Sequence, residues 1–180
     1  MKAVLDACVL YPTVMREVLL AAAEQGFFEP LWSKTILQEW LAAAGKSGEG
    51  EKAFAEGDQA LLKSRWPDAL VDEPEGLADH FYLPDPNDRH VLATAVGAQA
   101  PVIVTMNLRD FPVGILAEHG LSAIHPDALL RGFYDADAGK MRAAAERVRA
   151  TAEALSGVPQ DMRKLMKKAR LPRLGKALAA

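Results

Sequence analysis

The stretch Leu83–Pro112, LPDPNDRHVLATAVGAQAPVIVTMNLRDFP, decides the fold. Val91, Leu92, Ala95 and Val96 recur at helical spacing, so Asp88–Ala98 is read as a helix with one inward face. Val102–Thr105 follows as the clearest buried strand in the chain, and Asn107–Gly114 as a loop. A helix feeding a buried strand is the repeating unit of a parallel sheet.

Working outward, the same alternation holds on both sides. Lys2–Leu10 reads as a buried strand around Asp6, and Pro12 opens a helix to about Glu24 with Gly26 as its stop. Phe28–Trp32 is a second strand. Ser33 is placed to cap the helix Lys34–Ala44, whose apolar stripe is Ile36, Leu37, Trp40, Leu41 and Ala44. Gly45–Gly50 reads as a flexible loop before a helix at about Glu51–Arg65, Asp68–Glu75 as a weak strand or loop, and Pro84–Asn87 as a turn. Ile115–His119, Ser122–His125 and Asp127–Gly132 give a helix, a last strand and a helix. The sequence therefore predicts an α/β chain, a sandwich around a mostly parallel sheet. After residue 135 only helical signals remain, over Lys140–Leu155 and Gln160–Arg170, with Pro172 ending the second. Residues 1–135 are expected to form the principal domain and 136–180 a helical C-terminal extension.

The chain has 180 residues, half of them hydrophobic, which suits one compact domain with an appendage and excludes global disorder. One cysteine, Cys8, excludes a disulfide scaffold and points to a reducing compartment. The apolar run at the N-terminus is short and interrupted by Asp6, unlike a secretory signal, and no stretch is long enough to span a membrane. A cytoplasmic protein without membrane attachment is expected. The net charge of −3 hides an asymmetry: residues 1–139 carry 10 Lys/Arg against 21 Asp/Glu, residues 140–180 carry 11 against 3. A basic end on an acidic body points to an anionic partner, with a solvated basic helix face as the competing reading.

Chemistry-bearing residues fall where strands end. Asp6 interrupts an apolar strand, where a bare carboxylate would be costly without partners. Asp110 follows the strong strand by a short loop, with Asn107 between, and Asn-x-x-Asp-Phe-Pro also suits a turn. Asp85-Pro86-Asn87-Asp88 suits a helix cap, and Glu39 taken alone suits solvent. Together the acids say more. Several carboxylates at neighbouring strand ends raise one another's pKa unless a cation neutralises them, and an oxygen-only ligand set selects Mg²⁺ or Mn²⁺. Such ions activate water and stabilise the leaving oxygen of a phosphodiester, with no Ser, Cys or His nucleophile required.

The runs VLDACVLYP, SKTILQEW, LPDPNDRHVLATAV and VIVTMNLRDFP, in that order, resemble the motif set of the PIN-domain nucleases, and of their VapC-like toxin branch. The resemblance covers roughly residues 1–130, including GLSAIHPDALL. It implies a three-layer α/β/α sandwich with a mostly parallel central sheet that binds Mg²⁺ or Mn²⁺ and cuts single-stranded RNA. Asp6 matches the first-strand metal ligand, Glu39 the glutamate of the helix after the second strand, and Asp88 the acid opening the helix before the strong strand. The fourth position lies in the loop after that strand. Many relatives carry aspartate where this chain has Asn107, while Asp110 belongs to the recurrent Asp-Phe pair. Asp6, Glu39, Asp88 and Asp110 are thus the expected catalytic and metal-binding set, with Asp85, Thr105 and Asn107 as supporting candidates. In the extension, whose LPRLGKAL segment resembles the ends of some longer relatives, Arg163, Lys164, Lys167, Lys168, Arg170 and Arg173 are candidates to contact RNA phosphates. Dimer packing, or binding a partner's peptide through Met162, Leu165 and Met166, competes with that role. The resemblance implies a metal-dependent endoribonuclease, the toxin of a toxin–antitoxin pair with a protein antitoxin as partner. The alternative is a catalytically silent PIN-like module that binds RNA or protein.

Other apparent motifs carry no chemistry. Gly45-Lys46-Ser47 mimics the end of a phosphate-binding loop, but Trp40 stands where that motif needs glycine and a helix precedes it. His80, His90, His119 and His125 lack close metal-ligand spacing. Trp32, Trp40 and Trp66 are assigned to the core, and Cys8 to a small buried residue beside Asp6.

Overall fold

The structure is a computed structural model describing residues 1–180. In chain order the elements are β1 (Lys2–Leu5), α1 (Ala7–Leu10), α2 (Thr13–Glu24), β2 (Glu29–Leu31), α3 (Lys34–Lys46), α4 (Glu49–Arg65) and α5 (Arg89–Gly97). There follow β3 (Val102–Val104), α6 (Val113–Glu118), β4 (Ser122–Ile124), α7 (Pro126–Ala136), α8 (Ala138–Ser156), α9 (Met162–Lys168) and α10 (Pro172–Leu178). They divide into two compact units, Met1–Tyr11 with Glu29–Ile124, and Pro12–Phe28 with His125–Ala180.

The first unit is built on a four-stranded sheet in the order β2-β1-β3-β4, and every pairing is parallel. This is the α/β class that the alternating pattern predicts. Val4 sits opposite Leu31 on one side and Ile103 on the other, so β1 is central. Val4, Leu5, Ile103 and Val104 are fully buried, as an inner parallel strand requires. The chain leaves β1 to form β2 on one side and returns to form β3 on the other. That reversal opens a crevice beyond the carboxyl ends of β1 and β3, the usual ligand position in open α/β sheets.

Two local expectations change here. The strand expected over Lys2–Leu10 stops at Leu5, because the Asp6 carbonyl accepts from the Val9 and Leu10 amides and turns the chain into α1. An uninterrupted apolar run does not by itself distinguish a buried strand from a buried helical turn. The loop expected at Gly45–Gly50 contracts to Ser47 and Gly48, since α3 runs on through Lys46 and Glu49 already begins α4. Gly48, at φ +130°, supplies the joint that a residue with a β-carbon would resist. The cap at Ser33 forms as predicted, its Oγ accepting from the Ile36 amide at 3.3 Å. Trp32 and Trp40 are buried in this core, while Trp66 is half-buried.

The second unit is helical. Here α2 packs on α8 and α7, burying Met15, Val18, Leu19 and Ala22 on α2 and Met141, Ala144 and Val148 on α8. The Phe27 and Phe28 rings stack on Phe133 at 4.8 and 5.6 Å. Pro172, expected only to stop a helix, instead opens α10 as its first residue, where a missing amide proton costs nothing. Buried Asp127 caps that helix from α7, its two carboxylate oxygens accepting from the Arg173 and Leu174 amides at 3.0 Å each. Hydrogen bonds of this charged kind contribute about 1.5–3 kcal/mol each. At the opposite end the Arg142 guanidinium donates to the Leu178 carbonyl at 2.7 Å. Gly175 lets α10 approach α9 closely: a β-carbon there would lie 2.8 Å from Met166 Cβ. No helix is long and apolar enough to cross a membrane.

Eight of the eleven basic residues of 140–180 fall into two groups. Arg147 pairs with Glu24, and Arg149 with Glu146 and Glu153. Arg163, Lys164, Lys167, Lys168, Arg170 and Arg173 are exposed and make no ion pair.

Candidate active site

Asp6 is the first residue beyond β1, and Thr105 the first beyond β3. The Asp6 amide donates to the Val104 carbonyl at 3.1 Å, which ties the two strand ends together. Asp6 is only 4% exposed. Its Oδ2 accepts from the Thr105 hydroxyl at 2.7 Å and from the Cys8 thiol at 3.1 Å. Its Oδ1 makes no hydrogen bond within the protein. Burial, then the Asp6 charge, pushes the Cys8 thiol up to about 12, so Cys8 is a neutral donor and not a nucleophile. The Asn107 amide donates to Thr105 Oγ1 at 3.1 Å, and the Met106 amide to Cys8 Sγ at 3.2 Å. The loop after β3 is thereby folded onto the residues that hold Asp6.

Asp85 and Asp88 separate into two roles. Asp85 caps the turn Pro86–Asp88 through Oδ1, which accepts from the Asn87 amide at 2.9 Å. Asp88 stands at the start of α5 but its carboxylate caps nothing. It is half-buried, and its pKa is pushed up to about 7 by burial first and then by the charges of Asp6, Asp85, Asp110 and Glu39. Four carboxylates, from the end of β1, from α3, from the turn before α5 and from the turn after β3, therefore act on Asp88. Asp110, at the end of the turn Leu108–Asp110, is half-buried and belongs to this set, whereas Asn107 is exposed. No three His, Cys, Asp or Glu side chains stand as a ready-made metal-ligand group.

Glu39 is not the solvated residue that its helix position suggested. Its Oε1 lies 2.9 Å from Nε2 of His90, a residue buried on α5 and outside the expected site set. Burial lowers the His90 pKa, but Glu39, followed by Glu73 and Asp6, outweighs it, so the imidazole binds its proton more tightly than usual. The His90 imidazole thus lies against the Glu39 carboxylate, forming an ion pair whenever it is protonated. The signal was present in the sequence as a histidine two positions after Asp88 in Asp88-Arg89-His90. Its partner lies on another helix, which linear spacing does not reveal.

The family profile described as PIN domain matches residues 2–109, more than half of the chain. The chain belongs to the PIN-domain family. It is also similar to "Putative ribonuclease VapC50" of Mycobacterium tuberculosis, at 39% identity over 79 residues, covering 38% of this chain and 47% of that protein. The chain thus spans about half the length of the curated relative it matches. No solved structure matches. Within this PIN domain, Asp6, Glu39, Asp88, Asp110, Asp85 and Thr105 all lie inside the first compact unit.

Proposed function

We propose that this PIN domain is a divalent-metal-dependent endoribonuclease that hydrolyses phosphodiester bonds in single-stranded RNA, and that it is the toxin of a toxin–antitoxin pair with a protein antitoxin as partner. The observation that carries this reading is Asp88, a carboxyl held near a pKa of 7 by burial and four neighbouring acids. A group of like charges sharing one crevice is matched chemically by a hard cation with oxygen ligands. Asp6, Glu39, Asp88 and Asp110 would hold Mg²⁺ or Mn²⁺. Bound there, the ion supplies a water of lowered pKa and stabilises charge on the leaving oxygen. The chain's own residues do the rest. Thr105 and Cys8 bond Asp6 Oδ2 and leave Oδ1 without a bond in the protein, and His90 positions Glu39. Tyr82, 86% exposed with the Arg89 guanidinium 5.9 Å from its ring centre, offers a stacking face for a base near Asp85 and Asp88. The name of the Mycobacterium tuberculosis relative supports RNA as substrate.

The test is cleavage of end-labelled single-stranded RNA with Mg²⁺, with Mn²⁺ or with EDTA. Cleavage with either ion and none in EDTA is expected. A second reading, a PIN-like module that holds RNA or protein without cutting, is favoured by the absence of a ready-made three-residue ligand group. RNA that stays intact with both ions, yet is retarded by the protein, selects that reading.

Two further outcomes are expected. Thr105→Val removes the hydroxyl that orients Asp6 while keeping its shape, and residues standing behind metal ligands typically affect affinity about 10–100-fold. Calorimetric titration with Mn²⁺ should show a loss of that size, and equal affinity would remove Thr105 from the site. The unpaired cations of α9 are read as phosphate contacts. Truncation cannot test them, because α8 buries Met141, Ala144 and Val148 within its unit. Reversing Lys164, Lys167 and Lys168 to Glu should weaken RNA binding and reduce its salt slope by about 0.7 for each phosphate that is no longer neutralised. An unchanged slope would leave these lysines as a solvated face.

A further inference from the structure

Tyr82 is held in solvent by its neighbours. Phe81 and Leu83 on either side are each 5% exposed, whereas Tyr82 is 86% exposed. Phe81 has extended backbone, along which side chains alternate, so anchoring Phe81 and Leu83 turns Tyr82 outward. The Phe81 ring is fixed edge-on against His119 at 5.0 Å. Upstream, Gly97 lets the same connecting segment lie close on α5, since a β-carbon there would stand 2.5 Å from Pro74 Cγ. An exposed ring on a clamped segment loses little freedom when a ligand stacks on it.

Arg89 lies over that ring, its guanidinium carbon 5.9 Å from the centre. It follows Asp88 directly, yet it pairs with none of the acids around Asp88 and makes no hydrogen bond. Its Nε is shut off from water without a partner. An exposed tyrosine is ordinary, and so is a tyrosine–arginine contact. A half-buried guanidinium that stays unpaired amid carboxylates is not, because leaving its donors unbonded is costly. A planar fork with free donors matches a phosphate group.

Resting on the nuclease reading above, we infer that Tyr82 and Arg89 form a nucleotide subsite next to the reacting phosphodiester. Arg89 binds the phosphate neighbouring the one at the acidic set, and Tyr82 stacks the base of that nucleotide. Stacking on a π face and neutralising one phosphate carry no base identity, so the subsite accepts any base. It demands an unpaired nucleotide, because a base inside a duplex has both faces covered and cannot be splayed onto a ring. Selectivity for single strands is thereby assigned to the segment before α5.

Binding without cleavage separates this inference from the nuclease reading. Affinity is therefore measured in EDTA by fluorescence anisotropy, with a labelled oligo(A) of about twelve nucleotides and its abasic counterpart. Wild type should bind oligo(A) more tightly than the abasic strand. Tyr82→Ala should weaken oligo(A) binding roughly 5- to 150-fold, the range for one lost stacking contact, and leave the abasic strand unaffected. Tyr82→Phe should bind as wild type does. Arg89→Gln should reduce the salt slope by about 0.7 on both strands and Arg89→Lys should restore it, while Tyr82→Ala leaves the slope unchanged. Circular dichroism of every variant should match wild type. Equal affinity of wild type for the two strands, or an equal loss on both in Tyr82→Ala, overturns the stacking role. An unchanged slope in Arg89→Gln overturns the phosphate contact. Oligo(A) bound with the expected pattern yet left uncut with Mg²⁺ and Mn²⁺ upholds the nucleotide subsite and overturns hydrolysis instead.

Discussion

Replacing Asp6 by Asn is expected to lower RNA cleavage by at least about 10³-fold while leaving the chain folded, because metal-assisted charge stabilisation contributes several kcal/mol to the transition state. The substitution keeps the size of the side chain, and an amide oxygen can still accept from the Thr105 hydroxyl that now lies 2.7 Å from Oδ2. What is lost is charge at the one member of the set that is almost fully buried. Two readouts separate loss of chemistry from loss of structure. Circular dichroism and metal-free melting should be preserved, since neutralising Asp6 also relieves a repulsion felt by Asp88. Activity should fall with Mg²⁺ and Mn²⁺ alike. Cleavage within about tenfold of wild type would show that Asp6 is not the centre of the site.

A second large effect is expected from metal and pH together. Asp88 releases its proton at about 7 in the folded chain, against 3.8 in the unfolded reference. Between those values the folded state binds more protons than the unfolded one, so stability contributed by this group falls as pH rises through that window. Above about 7 the metal-free protein carries the full repulsion of an ionised Asp88, and a bound cation relieves it. A divalent ion at about one hundred times its dissociation constant adds about 2.7 kcal/mol, or roughly 5–11 °C in Tm for a chain of this size. The rise in Tm with Mn²⁺ should therefore be largest near pH 8 and small near about pH 5.5, where protons compete for Asp88. EDTA should reverse it. An equal rise at both pH values would place the ion away from Asp88.

Much of this site is legible in the sequence because strand ends are legible. Val102–Thr105 announces itself by composition, so Thr105 and Asp110 could be placed beside it, and Asp6 by the same logic beside β1. The capping signature at Asp85-Pro86-Asn87-Asp88 also reads correctly for Asp85. It misassigns Asp88, whose carboxylate bonds no helix amide and feels the charges of the other acids. What spacing cannot deliver is contact between elements distant in sequence. Glu39 and His90 are fifty-one positions apart and meet only because α3 and α5 pack on one another. Cys8 illustrates the same limit, since its bonds reach Thr105 and Met106 across the sheet switch. Pro172 was misread for a different reason. Proline stops one helix and starts another equally well, and only Asp127, far upstream, selects the second role.

The interleaving of the two units has a consequence for biosynthesis. The helix α2 ends at Glu24, yet Met141, the first buried residue of its main partner α8, follows 117 positions later. At about 5–20 residues per second that delay is roughly 6–23 s. Throughout it Met15, Val18 and Leu19 wait on a nascent chain without the helix that will shield them, so this unit closes late and as a whole. Variants that weaken α8 should therefore depress the yield of folded protein far more than the melting temperature of the molecules that succeed.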